Sequence, residues 1–186
     1  MRKIFLIILS IFIFHSNGYT QEKLPDRANN FSYGFHLLNY QQDFGIGLQL
    51  TSPYIARGWL AFRGRTNYQF NQHLNDVNET TWSGFGSYQL GVVGVAGMAG
   101  GFARFYAEGG VILLTPPSSI SSNSVEVGGY GVFGFEFFMS TSPNVPVSYF
   151  IELGGIGVGA IANKVPGKPI YSNGFSISVG FRGYIK

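Results

Sequence analysis

Gly174-Phe175-Ser176-Ile177-Ser178-Val179-Gly180-Phe181-Arg182-Gly183-Tyr184-Ile185-Lys186 is the stretch whose reading decides the fold. Phe175, Ile177, Val179, Phe181 and Ile185 fall on one face of an extended chain, broken only by Gly183. Ser176, Ser178, Gly180, Arg182, Tyr184 and Lys186 fall on the other. Successive side chains of a strand point to opposite faces, whereas a helix would mix the two sets. The segment therefore reads as a strand with one apolar and one polar face.

Working outward, the same alternation predicts seven more strands, near 31–39, 43–51, 58–70, 81–96, 102–114, 124–139 and 146–161. In the second, Phe44, Ile46, Leu48 and Leu50 oppose Gly45, Gly47, Gln49 and Thr51. The fourth is ambiguous, because both of its faces carry apolar residues and glycine. The segments after the second, fourth and sixth strands are short: Ser52 to Arg57, Gly97 to Gly101 and Ser140 to Val145. Those after the third, fifth and seventh are longer and polar: Asn71 to Thr80, Thr115 to Asn123 and Ala162 to Asn173. Short turns on one rim and longer loops on the other are how bacterial outer-membrane barrels are arranged. The first hairpin, around Tyr40 to Gln42, departs from that rule.

Composition agrees. Charged residues make up 11% of the chain, against about 25% in an average globular domain, while aromatics reach 17% and Gly numbers 27. At the N-terminus, Arg2 and Lys3 precede an apolar run from Ile4 to Phe14 and a polar stretch from His15 to Thr20. That is the pattern of a secretory signal peptide, and the run is too short to anchor in a bilayer. The expected organisation is a signal peptide over 1–20, a short periplasmic segment over 21–30 and a barrel over 31–186. The 21–30 segment reads as too short to be a plug or a peptidoglycan-binding domain. Cleavage would remove Arg2 and Lys3, so the formal +3 of the whole chain falls by two. That residual charge is no basis for a nucleic-acid partner. Cysteine is absent, which leaves neither a lipoprotein attachment site nor a disulfide framework.

The direction of the polar face separates a membrane barrel from a soluble one. With the more apolar face of each strand turned outward, Arg63, Arg65, Arg104, Glu108, Glu126, Glu136, Glu152 and Arg182 all turn inward. A charge on the lipid face near mid-bilayer costs about 2–4 kcal/mol. A charge inside a packed eight-strand lumen has to be paired. The expected pairings are Arg104 with Glu136, Arg182 with Glu152, and Arg63 and Arg65 with Glu108 across the lumen, as a structural charge network.

Gly101-Phe102-Ala103-Arg104-Phe105-Tyr106-Ala107-Glu108-Gly109-Gly110 carries an aromatic–Arg–aromatic and then a Glu-Gly pattern. Tyr149-Phe150-Ile151-Glu152-Leu153-Gly154-Gly155 echoes it with one residue inserted. With Gly174 to Arg182, these stretches resemble strands of the small OmpA/OmpX-like outer-membrane barrels of Bacteroidota. The resemblance implies an all-β, closed, antiparallel up-and-down transmembrane barrel, with outer-membrane lipids and the barrel assembly machinery as partners. Such barrels usually end on an aromatic residue, and this chain departs from them by ending Tyr184-Ile185-Lys186.

No motif for catalysis, cofactor or metal binding emerges. Gly45/Gly47, Gly84/Gly86 and Gly155/Gly157 lie within alternating strands and precede no helix, so they read as structural. A lipid A or phospholipid-modifying enzyme is the catalytic alternative. It would draw on His36 near the outer end of the first strand, on His73 in a loop with Asp76 and Glu79, and on Ser118, Ser119, Ser121 and Ser122. A narrow pore or an accessory component of an envelope secretion or assembly machine are the others. The first choice is a non-catalytic structural or surface-interaction barrel, whose surface ligand or protein partner is unknown. Phe31, Tyr33, Phe35, Trp82, Phe137, Tyr149 and Phe175 are expected on the lipid face near strand ends, as interfacial girdles.

Overall fold

The computed structural model describes residues 26–40, 43–75, 77–139 and 147–185. The expected signal peptide over 1–20 lies outside them. Eight strands are present: β1 (Ser32–Tyr40), β2 (Asp43–Thr51), β3 (Leu60–Leu74), β4 (Thr80–Ala99), β5 (Ala103–Thr115), β6 (Glu126–Phe138), β7 (Val147–Ile161) and β8 (Ile170–Tyr184). Each pairs antiparallel with its sequence neighbours, and β8 returns to β1 with Tyr184 opposite Ser32, which closes the barrel. Closure gives every strand a hydrogen-bonded neighbour on both sides.

All eight sequence-derived strands are found, and burial follows their alternation. In β2, Asp43, Gly45, Gly47, Gln49 and Thr51 are buried, while Phe44, Ile46, Leu48 and Leu50 are exposed. The ambiguous β4 turns Phe85, Ser87, Gln89, Val93 and Val95 inward and Trp82, Tyr88, Leu90 and Val92 outward. Bulges interrupt the pairing at Val95/Gly97 and Gly157/Ala160.

The expected contrast in loop lengths holds for a short β4–β5 connection (100–102) against longer β5–β6 (116–125) and β7–β8 (162–169) loops, and fails at β2–β3 and β3–β4. Asn71 to Leu74 and Thr80 continue the β3–β4 ladder, with Leu74 opposite Thr80, so that loop shrinks to 75–79. The β2–β3 connection is the longer one, over 52–59, and contains a 3-10 turn, Ala56–Gly58. Polar character there reflected strand ends standing clear of the apolar band rather than loop. The Ser140–Val145 turn lies outside the described residues.

The rim holding both described chain ends is called the terminal rim below; the other is the loop rim. The segment ahead of β1 is not too short to fill a mouth of the barrel. Asp26–Asn29 forms a 3-10 turn, and Ala28 is fully buried with Phe138 and Tyr184 at the terminal mouth. The carbonyl of Asn29 accepts from Tyr54 N at 2.8 Å. The segment is short, yet it plugs, because an eight-strand lumen is narrow enough for one turn to fill. At the loop rim, Ile120 and Val165 fold inward against Phe85, Ile112, Leu114, Ile156 and Tyr171. Mutual hydrogen bonds between Asn163 and Ser122, with Lys164 Nζ donating to Ser118 O at 2.8 Å, hold the two loops together. The inward parity of the charges gave no sign of this apolar cap.

Two adjacent glycines of β5 differ by face. A Cβ on inward Gly110 would stand 2.1 Å from Leu90 O, whereas one on outward Gly109 would meet nothing nearer than 3.6 Å. Gly110→Ala is expected to destabilise the barrel by about 1–3 kcal/mol through overpacking. Gly109→Ala should stay within about 0.5 kcal/mol. Urea midpoints of the two variants in detergent check the difference.

Candidate functional site: the charged lumen

Period-two alternation stacks inward residues at i and i+2, which is how single strands bring Arg63 and Arg65, Arg104, Tyr106 and Glu108, or Ser148, Phe150 and Glu152 into the lumen. Closure then sets these columns face to face. Glu152, fully buried, is the hub. Its Oε1 accepts from Tyr106 OH at 2.5 Å, Arg65 Nη2 and Arg182 Nη2 at 2.9 Å, and Arg63 Nη1 at 3.2 Å. Its Oε2 accepts from Arg65 Nη1 at 2.6 Å. Glu108 Oε2 accepts from Arg63 Nη1 at 2.6 Å and Arg65 Nη2 at 2.5 Å, and its Oε1 from Tyr130 OH at 2.7 Å.

A second centre lies nearer the terminal rim. Glu136 Oε1 accepts from Ser148 Oγ at 2.6 Å and from Tyr184 OH. Its Oε2 lies 3.2 Å from Arg182 Nη1 and 3.6 Å from Arg104 Nη1. Arg182 thus bridges the two centres. Arg104 Nη2 donates to Ala28 O at 2.6 Å and to Asn29 Oδ1 at 3.1 Å, tying the plug to the network. Aromatic rings cover the guanidinium faces, with Arg182 over Phe150 at 4.0 Å and Arg104 over Tyr54 at 4.3 Å. Sharing each carboxylate among several guanidinium groups offsets the desolvation that an isolated buried pair would not recover.

Seven of the eight residues read from the sequence as a lumen network are gathered here: Arg63, Arg65, Arg104, Glu108, Glu136, Glu152 and Arg182. The three expected pairings are among the contacts. Glu126 is the exception. It has inward parity but opens β6 at the loop rim, only half-buried, and is hydrogen-bonded by Asn123 Nδ2 at 2.7 Å. Without Glu126, the network holds four Arg and three Glu. Asp43 is buried at the loop rim on the Asn71 side chain and on Ser172 N at 3.1 Å. Sequence reasoning passed over Asp43 and the hydroxyls of Tyr106, Tyr130 and Tyr184. Their inward parity was the available signal.

The catalytic alternative drew on two histidines. His36 is not at a rim: it lies in the lumen, with Nε2 2.8 Å from Asn67 Oδ1. His73 belongs to β3 rather than to a loop, with Nδ1 3.4 Å from Asn71 O. Asp76 lies outside the described residues. Among the described residues, no three His, Cys, Asp or Glu side chains come together as metal ligands would.

No protein-family model matches the chain. No curated protein matches it either. Among solved structures, it is similar to the N-terminal β-barrel domain of Pseudomonas aeruginosa OprF, at 9% identity and a TM-score of 0.48, covering 84% of this chain and 98% of that one. The architecture, an eight-stranded closed antiparallel barrel, rests on the strand pairing itself.

Proposed function

We propose that the chain is an outer-membrane β-barrel of the small OmpA/OmpX-like kind, with its terminal rim in the periplasm and a structural or surface-presenting role without catalysis. The observation that carries this reading is the polarity of the wall. Among the described residues, every Asp, Glu, Lys and Arg within a strand has inward parity, and the outward positions include Leu48, Leu90, Phe62 and Phe181, each more than half exposed. Such a continuous apolar exterior is far larger than a soluble monomer presents to water, and it matches a wall in hydrocarbon. Trp82 near the loop rim and Phe31, Tyr33, Phe137 and Tyr149 near the terminal rim fit interfacial girdles. Phe35 lies nearer mid-strand, and Phe175 lies well inside β8, which begins at Ile170.

The filled lumen supports a non-conducting barrel over a pore, since ion pairs occupy its middle, an apolar cluster one mouth and Ala28 the other. The partners on this reading are outer-membrane lipids, the assembly machinery and whatever the loop rim meets outside.

Residues 21–186, purified in detergent, should migrate differently on a gel when boiled and unboiled. They should give no conductance steps in planar bilayers and leave lipid A masses unchanged in cells that express them. A monomer soluble without detergent would overturn the membrane reading. Conductance steps or altered lipid A would overturn the assigned role.

A further inference from the structure

Polar contacts run along the lumen as two chains. From the loop rim, Ser172 N donates to Asp43 Oδ2 and Ser172 Oγ to Gln69 Oε1, both at 3.1 Å. Gln69 Nε2 and Asn67 Nδ2 donate to Ser87 Oγ at 2.7 and 3.0 Å, and Asn67 Oδ1 meets His36 Nε2 at 2.8 Å. From the terminal rim, Ala28 O, Arg104, Glu136, Arg182, Glu152 and Arg65 follow in unbroken contact. The first chain ends at His36, and no protein hydrogen bond joins it to Arg65 in the second.

Both residues line one internal cavity of about 10 Å³, together with Ser178. His36 Nδ1, Arg65 Nε and Ser178 Oγ have no protein partner, and the three residues are only 1%, 6% and 8% exposed. Three buried polar atoms without protein partners, all on residues that line one cavity, point to a guest that satisfies them.

We propose that this cavity is a binding site for a single water molecule, which bridges His36 Nδ1, Arg65 Nε and Ser178 Oγ and joins the two chains into one. The chemistry selects the guest. Because Asn67 Oδ1 accepts, Nε2 carries the proton of the neutral His36 ring and Nδ1 is left as an acceptor, a second proton being disfavoured beside Arg65, while Arg65 Nε–H can only donate. The guest must donate to one and accept from the other. Water does both; a halide only accepts, and an ammonium ion only donates. Glu108 and Glu152 already pair with the Arg65 guanidinium, which leaves little uncompensated positive charge to draw a halide in. The volume is that of one water, with polar partners enough to retain it. Since guanidinium groups keep their protons, the completed chain is a rigid strut between the mouths rather than a proton path.

Residues 21–186 folded in deuterated detergent provide the test. A cross-relaxation peak between the water resonance and the His36 Cε1 proton is expected. It should disappear in Ser178→Val, which fills the cavity, while the unboiled gel mobility stays that of the folded barrel. Crystals soaked in bromide give a second reading, which holds even if Ser178→Val does not fold. Electron density for one water within hydrogen-bonding distance of all three atoms is expected. A cavity without density, an anomalous bromide peak there, or a water peak that survives in a folded Ser178→Val would overturn the proposal. None of these outcomes depends on where in the cell the barrel resides.

Discussion

Glu152→Gln is expected to destabilise the folded barrel more than any other single substitution of a lumen carboxylate. The wild-type carboxylate faces Arg63, Arg65 and Arg182, at 3.2, 2.6 and 2.9 Å. The amide keeps the shape and one acceptor oxygen but removes the charge, and places an NH2 donor where a guanidinium now donates. Removing one partner of a buried ion pair costs roughly 3–5 kcal/mol, because the remaining charge stays desolvated. Here three guanidinium groups lose that partner at once, and Tyr106 OH loses a charged acceptor. The loss should lie at or above the top of that range. Urea unfolding in vesicles, followed by the fraction migrating as the unboiled form, measures it. By contrast, Glu126→Gln at the half-buried rim position should shift the midpoint little. An unchanged midpoint for Glu152→Gln would mean that the lumen contacts contribute little to the fold.

Leu90→Arg tests the outside of the same wall. Leu90 lies near the middle of β4, and its side chain is 63% exposed. On a soluble barrel, a surface Leu replaced by Arg would change stability by about 0.5 kcal/mol or less. On a wall in hydrocarbon, the same change costs about 2–4 kcal/mol at mid-depth, falling toward zero at the interfaces. The expected outcome is a large loss for Leu90→Arg in phospholipid vesicles and a small one for an arginine at Thr80, at the loop rim. Equal and small effects at both positions would place the wall in water.

The two substitutions probe features of different legibility. The wall could be read from the chain because it depends on a local rule. Cβ atoms alternate along any strand, so Leu90 and Gln89 face opposite ways whatever the rest of the molecule does. The same rule located all eight strands and the inward parity of the charges. It failed where a residue's environment depends on depth. Glu126 has the same parity as Glu136, yet one stands at a rim and the other is fully buried. Asn71 to Leu74 looked like loop because polarity marks both loops and strand ends that rise beyond an apolar band.

The sequence by itself determined an all-β closed barrel with apolar residues outward and ionic residues inward, because strand periodicity and the cost of an unpaired charge act residue by residue. Only the tertiary structure decided which inward side chains meet. Glu152 serves three arginines, Arg182 links two carboxylate centres, and Ala28 stops one mouth while Ile120 and Val165 stop the other. Those contacts join strands and loops far apart along the chain, at distances set by ring closure and register, which no local pattern encodes.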